Sequence, residues 1–343
     1  MKTKLIITVL GITIFNSMIF SQGFISDVSK KGTTAAQFLS IGQSARATAM
    51  GSAFVGVSDD PSSIFWNPAG LAKLDGIGIM FDHTNWFAGI NYNFLAATYK
   101  LGDIGTVGLS FTVSNYGDMK VTTIEEPNGT GEVFTANDMA ISLAYAINLT
   151  DRFSIGFNPK FVYQSIWKMN ATAFAIDMGV QYVTPFDGMI LAMSISNFGT
   201  KMQLLGNSNL VLHDLDPEGT GNNDKIPAYL ETNEWALPLN FRVGVAYCPI
   251  KTANYDLILA LDAMHPSDNY ESVNFGAELN FYRAFSIRGG YKSLFLKDSE
   301  ESFTLGFGVK QFIVGNLAIK LDYAYQDFGR LKNIQKFTLG INF

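Results

Sequence analysis

A single cysteine, Cys248, leaves no partner for an intrachain disulfide and no multi-cysteine metal site. Charge is scarce as well. Charged residues make up 16% of the chain, against about 25% in ordinary soluble domains. The net charge of −6 comes without any local Lys/Arg cluster, so no basic field for nucleic acid is present. The three histidines, His83, His213 and His265, lie far apart and lack metal spacing such as H-E-x-x-H. No G-x-S-x-G elbow occurs either. No enzyme, no metal and no cofactor is therefore expected. Beyond the N-terminus no run approaches the roughly 20 apolar residues of a spanning helix.

What the chain does have is apolar, aromatic and periodic. Aromatic residues reach 13%, with 28 Phe. Lys2 and Lys4 form a positive start, Leu5 to Phe20 an apolar stretch, and Ser21-Gln22-Gly23 a small and polar exit. That pattern reads as a secretory signal peptide over residues 1–22, and no Cys follows it to carry a lipid. From Gly76 onward the period is two. Phe303, Leu305, Phe307 and Val309 alternate with Thr304, Gly306, Gly308 and Lys310. Leu239, Phe241, Val243, Val245 and Tyr247 repeat the pattern. One face is large and apolar, while the other mixes Gly, Ala, Ser, Asn and charges.

These strands run about 10 to 13 residues, which suits tilted membrane-spanning strands of about 9 to 11 better than the soluble average of about 5 to 6. The expected strands are 76–86, 90–101, 104–115, 137–149, 152–166, 172–184, 188–199, 237–249, 254–265, 270–282, 285–295, 302–312, 316–327 and 333–343. Aromatics near their ends, among them Trp86, Trp167, Tyr99, Tyr145 and Tyr325, suit interfacial girdles. Every second connection is short, and the two longest, 116–136 and 200–236, both fall in the other class. Outer-membrane barrels sort their loops in this way, and their even strand number returns the last strand to the side of the first. The chain ends on an alternating strand with Phe343, as such barrels do. An all-β transmembrane barrel of about fourteen antiparallel strands is expected over residues 76–343, in the bacterial outer membrane, with both termini periplasmic.

The stretch between leader and strands is different. Residues 32–74 carry Ala45, Ala47, Ala49, Gly51, Ser52 and Ala53, then Asp59-Asp60, then Trp66-Asn67-Pro68-Ala69-Gly70. Small residues without alternation suit short helices or coil packed tightly on another surface. Phe38-Leu39-x-Ile41-Gly42, Ala45-Arg46-x-x-Ala49-Met50-Gly51-x-Ala53-Phe54, Asp59-Asp60 and Trp66-Asn67-Pro68-Ala69-Gly70-Leu71 together resemble the PorV/PorQ family, within the FadL-like group of outer-membrane barrels.

The resemblance implies two functional classes. One is an accessory of type IX protein secretion that binds exported client proteins or contacts the translocon barrel. The other is FadL-type passive transport of hydrophobic small molecules such as long-chain fatty acids. It also implies an N-terminal hatch, residues 23–75, inside the barrel. A fourteen-strand barrel leaves a lumen that needs filling. In that setting Arg46, Gly51, Asp59, Asp60, Asn67, Pro68, Ala69 and Gly70 are the candidate structural or gating residues. Arg46, Asp59 and Asp60 can pair with lumen groups such as Lys160, Lys310, Lys320, Asp262, Glu278 and Asp322. Asp59-Asp60 also suits a helix N-cap before Pro61, and Asn67-Pro68 a turn that feeds the first strand.

The loop 200–236 is the candidate partner surface, through Leu212, Tyr229, Leu230 and Trp235. Folding back over the barrel mouth is an equal expectation for it. Its Asp214-Leu-Asp216-Pro-Glu218-Gly219 run imitates a calcium loop, but the twelfth position is Lys225 where a bidentate Glu is required.

Overall fold

The computed structural model describes residues 30–186, 188–219, 223, 225–313 and 317–343. The leader expected over 1–22 lies outside these residues. Fourteen long strands form the barrel: β1 Ile77–Asn85, β2 Asn91–Lys100, β3 Thr106–Lys120, β4 Val133–Thr150, β5 Phe153–Ile166, β6 Met169–Val183, β7 Met189–Gly199, β8 Asn240–Lys251, β9 Tyr255–Pro266, β10 Ser272–Phe281, β11 Phe285–Leu294, β12 Phe303–Phe312, β13 Ala318–Asp327 and β14 Asn333–Asn342. Each pairs antiparallel with its sequence neighbours. β14 returns to β1, from Gly78 opposite Asn342 to Asn85 opposite Gln335, and closes the sheet. Closure removes the unpaired edge that an open sheet could not carry into lipid.

The side-chain period decides which face meets which solvent. On β12, Phe303, Leu305, Phe307 and Val309 are 45%, 54%, 55% and 38% exposed, whereas Thr304 between them is fully buried. A soluble sandwich would hide the phenylalanines. Here they form the outer belt, and the polar and small residues face inward. Tyr99, Tyr145 and Trp167 are exposed at strand ends, as expected of girdle residues. Trp86 does otherwise and packs edge-on against Phe328, with ring centroids 5.6 Å apart.

The strand boundaries match the sequence expectation except around 116–136. There β3 and β4 extend the hairpin past a register shift between Asn115 and Asp118, pairing Asp118 with Thr135 and Lys120 with Val133. The extension is short, pairing Met119 with Phe134 on one face and Asp118 and Lys120 with Thr135 and Val133 on the other, and the bulge shifts its alternation out of step with the rest of the hairpin.

Short turns gather at one end, where Ile77 and Phe343 exchange backbone hydrogen bonds. The long loops gather at the other. Strand parity fixes only where β1 begins and β14 ends. The described chain before β1 starts at the long-loop end, where Lys31 and Gln37 lie beside Trp86 and Leu331. It then runs down the interior to β1.

Candidate functional site

The interior segment, from Ala36 to Leu74, contains two 3₁₀ turns, Gln37–Ser40 and Pro68–Lys73, and two short helices, α1 Ala45–Ala49 and α2 Ser63–Trp66. None is long enough to satisfy its own backbone, so the barrel wall has to supply partners. Thr338 Oγ1 accepts the Ala45 N–H at 2.7 Å. Thr304 Oγ1 accepts from Gly51 N and donates to Ala49 O, both at 2.9 Å. Asp262 accepts from Phe54 N and Val55 N at 2.7 and 2.9 Å.

Small residues make this approach possible. Ala45 and Ala49 sit directly on Ala324 of β13. A Cβ added at Gly276 or Gly290 of the wall would run into Met50, and one at Gly156 or Gly179 would run into Asn67-Pro68. Gly51 has φ +63°, a left-handed conformation that favours glycine, and its missing Cβ would meet the Phe275 and Tyr291 backbones.

The Asn67 side chain is fully buried and uses its whole amide. Nδ2 donates to Val55 O and to Val180 O of β6, each at 3.1 Å. Oδ1 accepts the Ala69 N–H at 3.1 Å, capping the Pro68–Lys73 turn with Pro68 at its first position. That is the expected turn before β1, and it doubles as a wall anchor. Ala69 and Gly70 are buried in the turn, with Gly70 tight against Ser58. Asp60 accepts the Ser62 N–H at 2.9 Å. It sits just ahead of α2, which starts at Ser63, two residues later than the expected cap would place it.

Charge is concentrated around Arg46. Its Nε and NH2 form a bidentate pair with Glu278 of β10 at 2.7 and 2.8 Å. Its NH1 meets Asp59 and, at 3.4 Å, Asp60. Asp59, Glu278 and Asp60 together supply the opposite charge that a buried guanidinium requires. Glu278 Oε2 also accepts from Arg288 Nε at 2.5 Å, and Arg288 NH1 reaches Asp322 at 2.6 Å. Of the six expected lumen partners, then, Glu278 pairs with the segment's arginine and Asp262 with its backbone. Lys160 pairs instead with Asp177 at 2.8 Å, and Lys320 with Asp322 at 3.4 Å. Lys310 makes no ion pair among the described residues.

Arg288 went unread in the sequence, although its inward position between Phe285 and Ile287 on one side and Tyr291 on the other marks a charge in the lumen. Arg242 was missed too. Its guanidinium lies over the Phe65 and Trp66 rings of the segment, at 5.6 and 5.2 Å.

At the long-loop end, the 200–239 connection divides in two. Its base folds back: Met202 and Leu237 are buried with Phe38 and Leu39 of the segment, and Ala236 O accepts the Ala35 N–H at 2.9 Å. Its outer part is a two-stranded arm, with Leu210–His213 paired to Ile226–Tyr229. Leu212, Tyr229 and Leu230 on or beside the arm are 62%, 66% and 59% exposed. Trp235 pairs with Met202 through the backbone while its ring stays exposed. The fold-back expectation holds for the base of this loop, and the candidate partner residues lie exposed on or near its outer part.

Cavities border the segment toward both ends of the barrel. One of about 580 Å³ opens among the long loops and is lined by Phe38, Ile41, Trp86, Phe87, Phe328 and Leu331. Another, of about 380 Å³, lies toward the short turns around Arg46, Glu278, Arg288 and Lys310. Between them Ala45, Ala47, Ala49 and Met50 are completely buried.

A closed fourteen-strand barrel with an apolar belt, a polar lumen and an occupied interior defines a bacterial outer-membrane barrel, in contact with lipid through the belt. Solved structures share this fold. The toluene transporter TbuX of Ralstonia pickettii superposes with a TM-score of 0.54 at 12% identity, covering 88% of this chain and 97% of that one. The monoaromatic hydrocarbon channel CymD gives 0.53 at 13%, covering 88% and 96%. The toluene transporter TodX of Pseudomonas putida gives 0.52 at 11%, covering 86% and 96%. At such identities the likeness is one of fold. No curated protein matches the sequence. The model of the family described as type IX secretion system protein PorV matches residues 26–204, more than half of the chain. The chain belongs to that family.

Proposed function

We propose that this barrel serves type IX secretion as an accessory that receives exported client proteins, or contacts the translocon, through its long-loop face. The carrying observation is the contrast between a filled interior and an apolar rim. In the middle of the lumen Ala45, Ala47, Ala49 and Met50 are completely buried, while Leu212, Tyr229 and Leu230 stand exposed on a loop whose base is firmly seated. Side chains of this kind suit a protein partner. In this reading residues 1–22 are a cleaved leader, residues 23–75 a hatch, and the short turns and Phe343 face the periplasm.

Deleting the gene should strand secreted proteins in the periplasm, and the protein should co-purify with the translocon barrel. Intact secretion in the deletion strain, together with reduced uptake of a labelled fatty acid, would overturn the reading. That outcome would favour passive transport of a hydrophobic small molecule. One observation speaks for this second reading: the aromatic-lined cavity of about 580 Å³ is of a size and character suited to an apolar ligand. The names of TbuX and TodX record such ligands for those proteins.

A further inference from the structure

At the short-turn end three cations stand side by side on the inner wall. Lys310 of β12 and Lys320 of β13 are direct cross-strand partners. On its other flank Lys310 donates its backbone N–H to Ala284 O at 2.7 Å, which places it beside Arg283 in the β10–β11 turn. All three line the cavity of about 380 Å³.

Like charges directly opposite on one sheet face are destabilising, and a shared carboxylate is the ordinary remedy. Lys320 has one in Asp322 at 3.4 Å, but that group is held more closely by Arg288 at 2.6 Å. Glu278 is saturated by Arg46 and Arg288. Asp59 is engaged with Arg46, and Asp256 accepts from Asn280 at 2.9 Å. Among the described residues neither Lys310 nor Arg283 makes an ion pair. The Lys310 ammonium lies instead 4.9 Å over the Phe312 ring.

We propose that the Arg283–Lys310–Lys320 row is a binding site for a small oxyanion of the phosphate class, entered from the short-turn end. Arginine offers a planar fork and lysine a point charge, a pairing suited to a tetrahedral oxyanion. The low-dielectric barrel wall around a partly enclosed cavity strengthens the attraction. The proposal is independent of the role in secretion, since it concerns the opposite end of the barrel from the apolar rim.

The test is calorimetric titration of the full chain in detergent with inorganic phosphate, replacing chloride at constant ionic strength. Saturable binding is expected. Lys310→Gln and Arg283→Gln should each weaken it about tenfold, the loss expected for one charge-assisted hydrogen bond. Lys201→Gln, at the other end of the barrel, should leave it unchanged. In phosphate-free buffer Lys310→Gln should also raise the unfolding temperature, because it removes the like-charge pair with Lys320. Absence of saturable binding, unchanged affinity in both cavity variants, or a lower unfolding temperature for Lys310→Gln would each overturn the proposal.

Discussion

The interior segment and the 200–239 loop both lie outside the barrel strands, and they solve opposite problems. The interior segment around Arg46 and Asn67 is built from Ala, Gly and Ser, and its polar groups bond to the wall. The arm of the 200–239 loop carries Leu, Tyr and Pro, and turns the large apolar ones outward. Size explains the first stretch, because a backbone can reach the wall only where neither side brings bulk. Burial without lipid explains its polarity, since each wall contact has to satisfy a backbone group that the short helices leave open. The second stretch has no such constraint. Its exposed apolar side chains lie outside the buried clusters of the barrel.

The contrast can be broken most sharply at Glu278. Glu278→Gln leaves Arg46 and Arg288 buried with one negative charge fewer, and should cost roughly 3–5 kcal/mol in unfolding free energy. Equilibrium unfolding in detergent reads this directly, and a rise in planar-bilayer conductance would show the segment losing its seat. A loss below about 1 kcal/mol would mean the ion-pair network does not hold the segment.

Asn67→Ala comes next. It removes a turn cap and the Asn67 donor to Val180 O, while Val55 O keeps the Gln181 Nε2 donor at 3.1 Å, at a cost of about 1–2 kcal/mol. The same unfolding measurement checks it, with Asn67→Asp restoring only the cap.

On the loop, Leu212→Ser combined with Tyr229→Ser should shift stability by no more than about 0.5 kcal/mol. Co-purification with the translocon should nevertheless fall. A large stability loss would show that the arm is structural after all.

The smallest effect is expected at Glu300, where hydrogen bonds from the Arg330 side chain and backbone hold the carboxyl below its ordinary pKa. A depressed carboxylate contributes at pH above its unfolded value, and the contribution is lost as pH falls through the folded one. Hydrogen exchange at the Arg330 amide, bonded to Glu300 at 2.9 Å, should accelerate in acid relative to Glu300→Gln, in which the step is absent.

Much of the architecture was legible in the chain. Period-two alternation marked all fourteen strands, because every barrel residue meets either lipid or lumen and the pleat alternates between them. Loop parity told the two ends apart. The resemblance carried by Arg46, Gly51, Asp59 and the Asn67–Gly70 run pointed to the family that the match over residues 26–204 establishes.

The site was less legible. Glu278 was one of three lumen carboxylates offered to Arg46, and only the closed barrel brings it within reach across 232 residues of sequence. Arg288 and Arg242 sit at inward positions of the alternation, but the groups they meet emerged only with the closed barrel. The division of the 200–239 loop into a seated base and an exposed arm also had no sequence mark, since Met202, Leu237, Leu212 and Tyr229 are all apolar.

The sequence by itself determined the strands, their inward and outward faces and the small-residue character of the interior segment, because these depend on local period and side-chain size. Only the tertiary structure decided which charges meet, which apolar residues are covered and where the segment begins. Those outcomes depend on distances between strands that are far apart in the chain, and closing the barrel sets all of them at once.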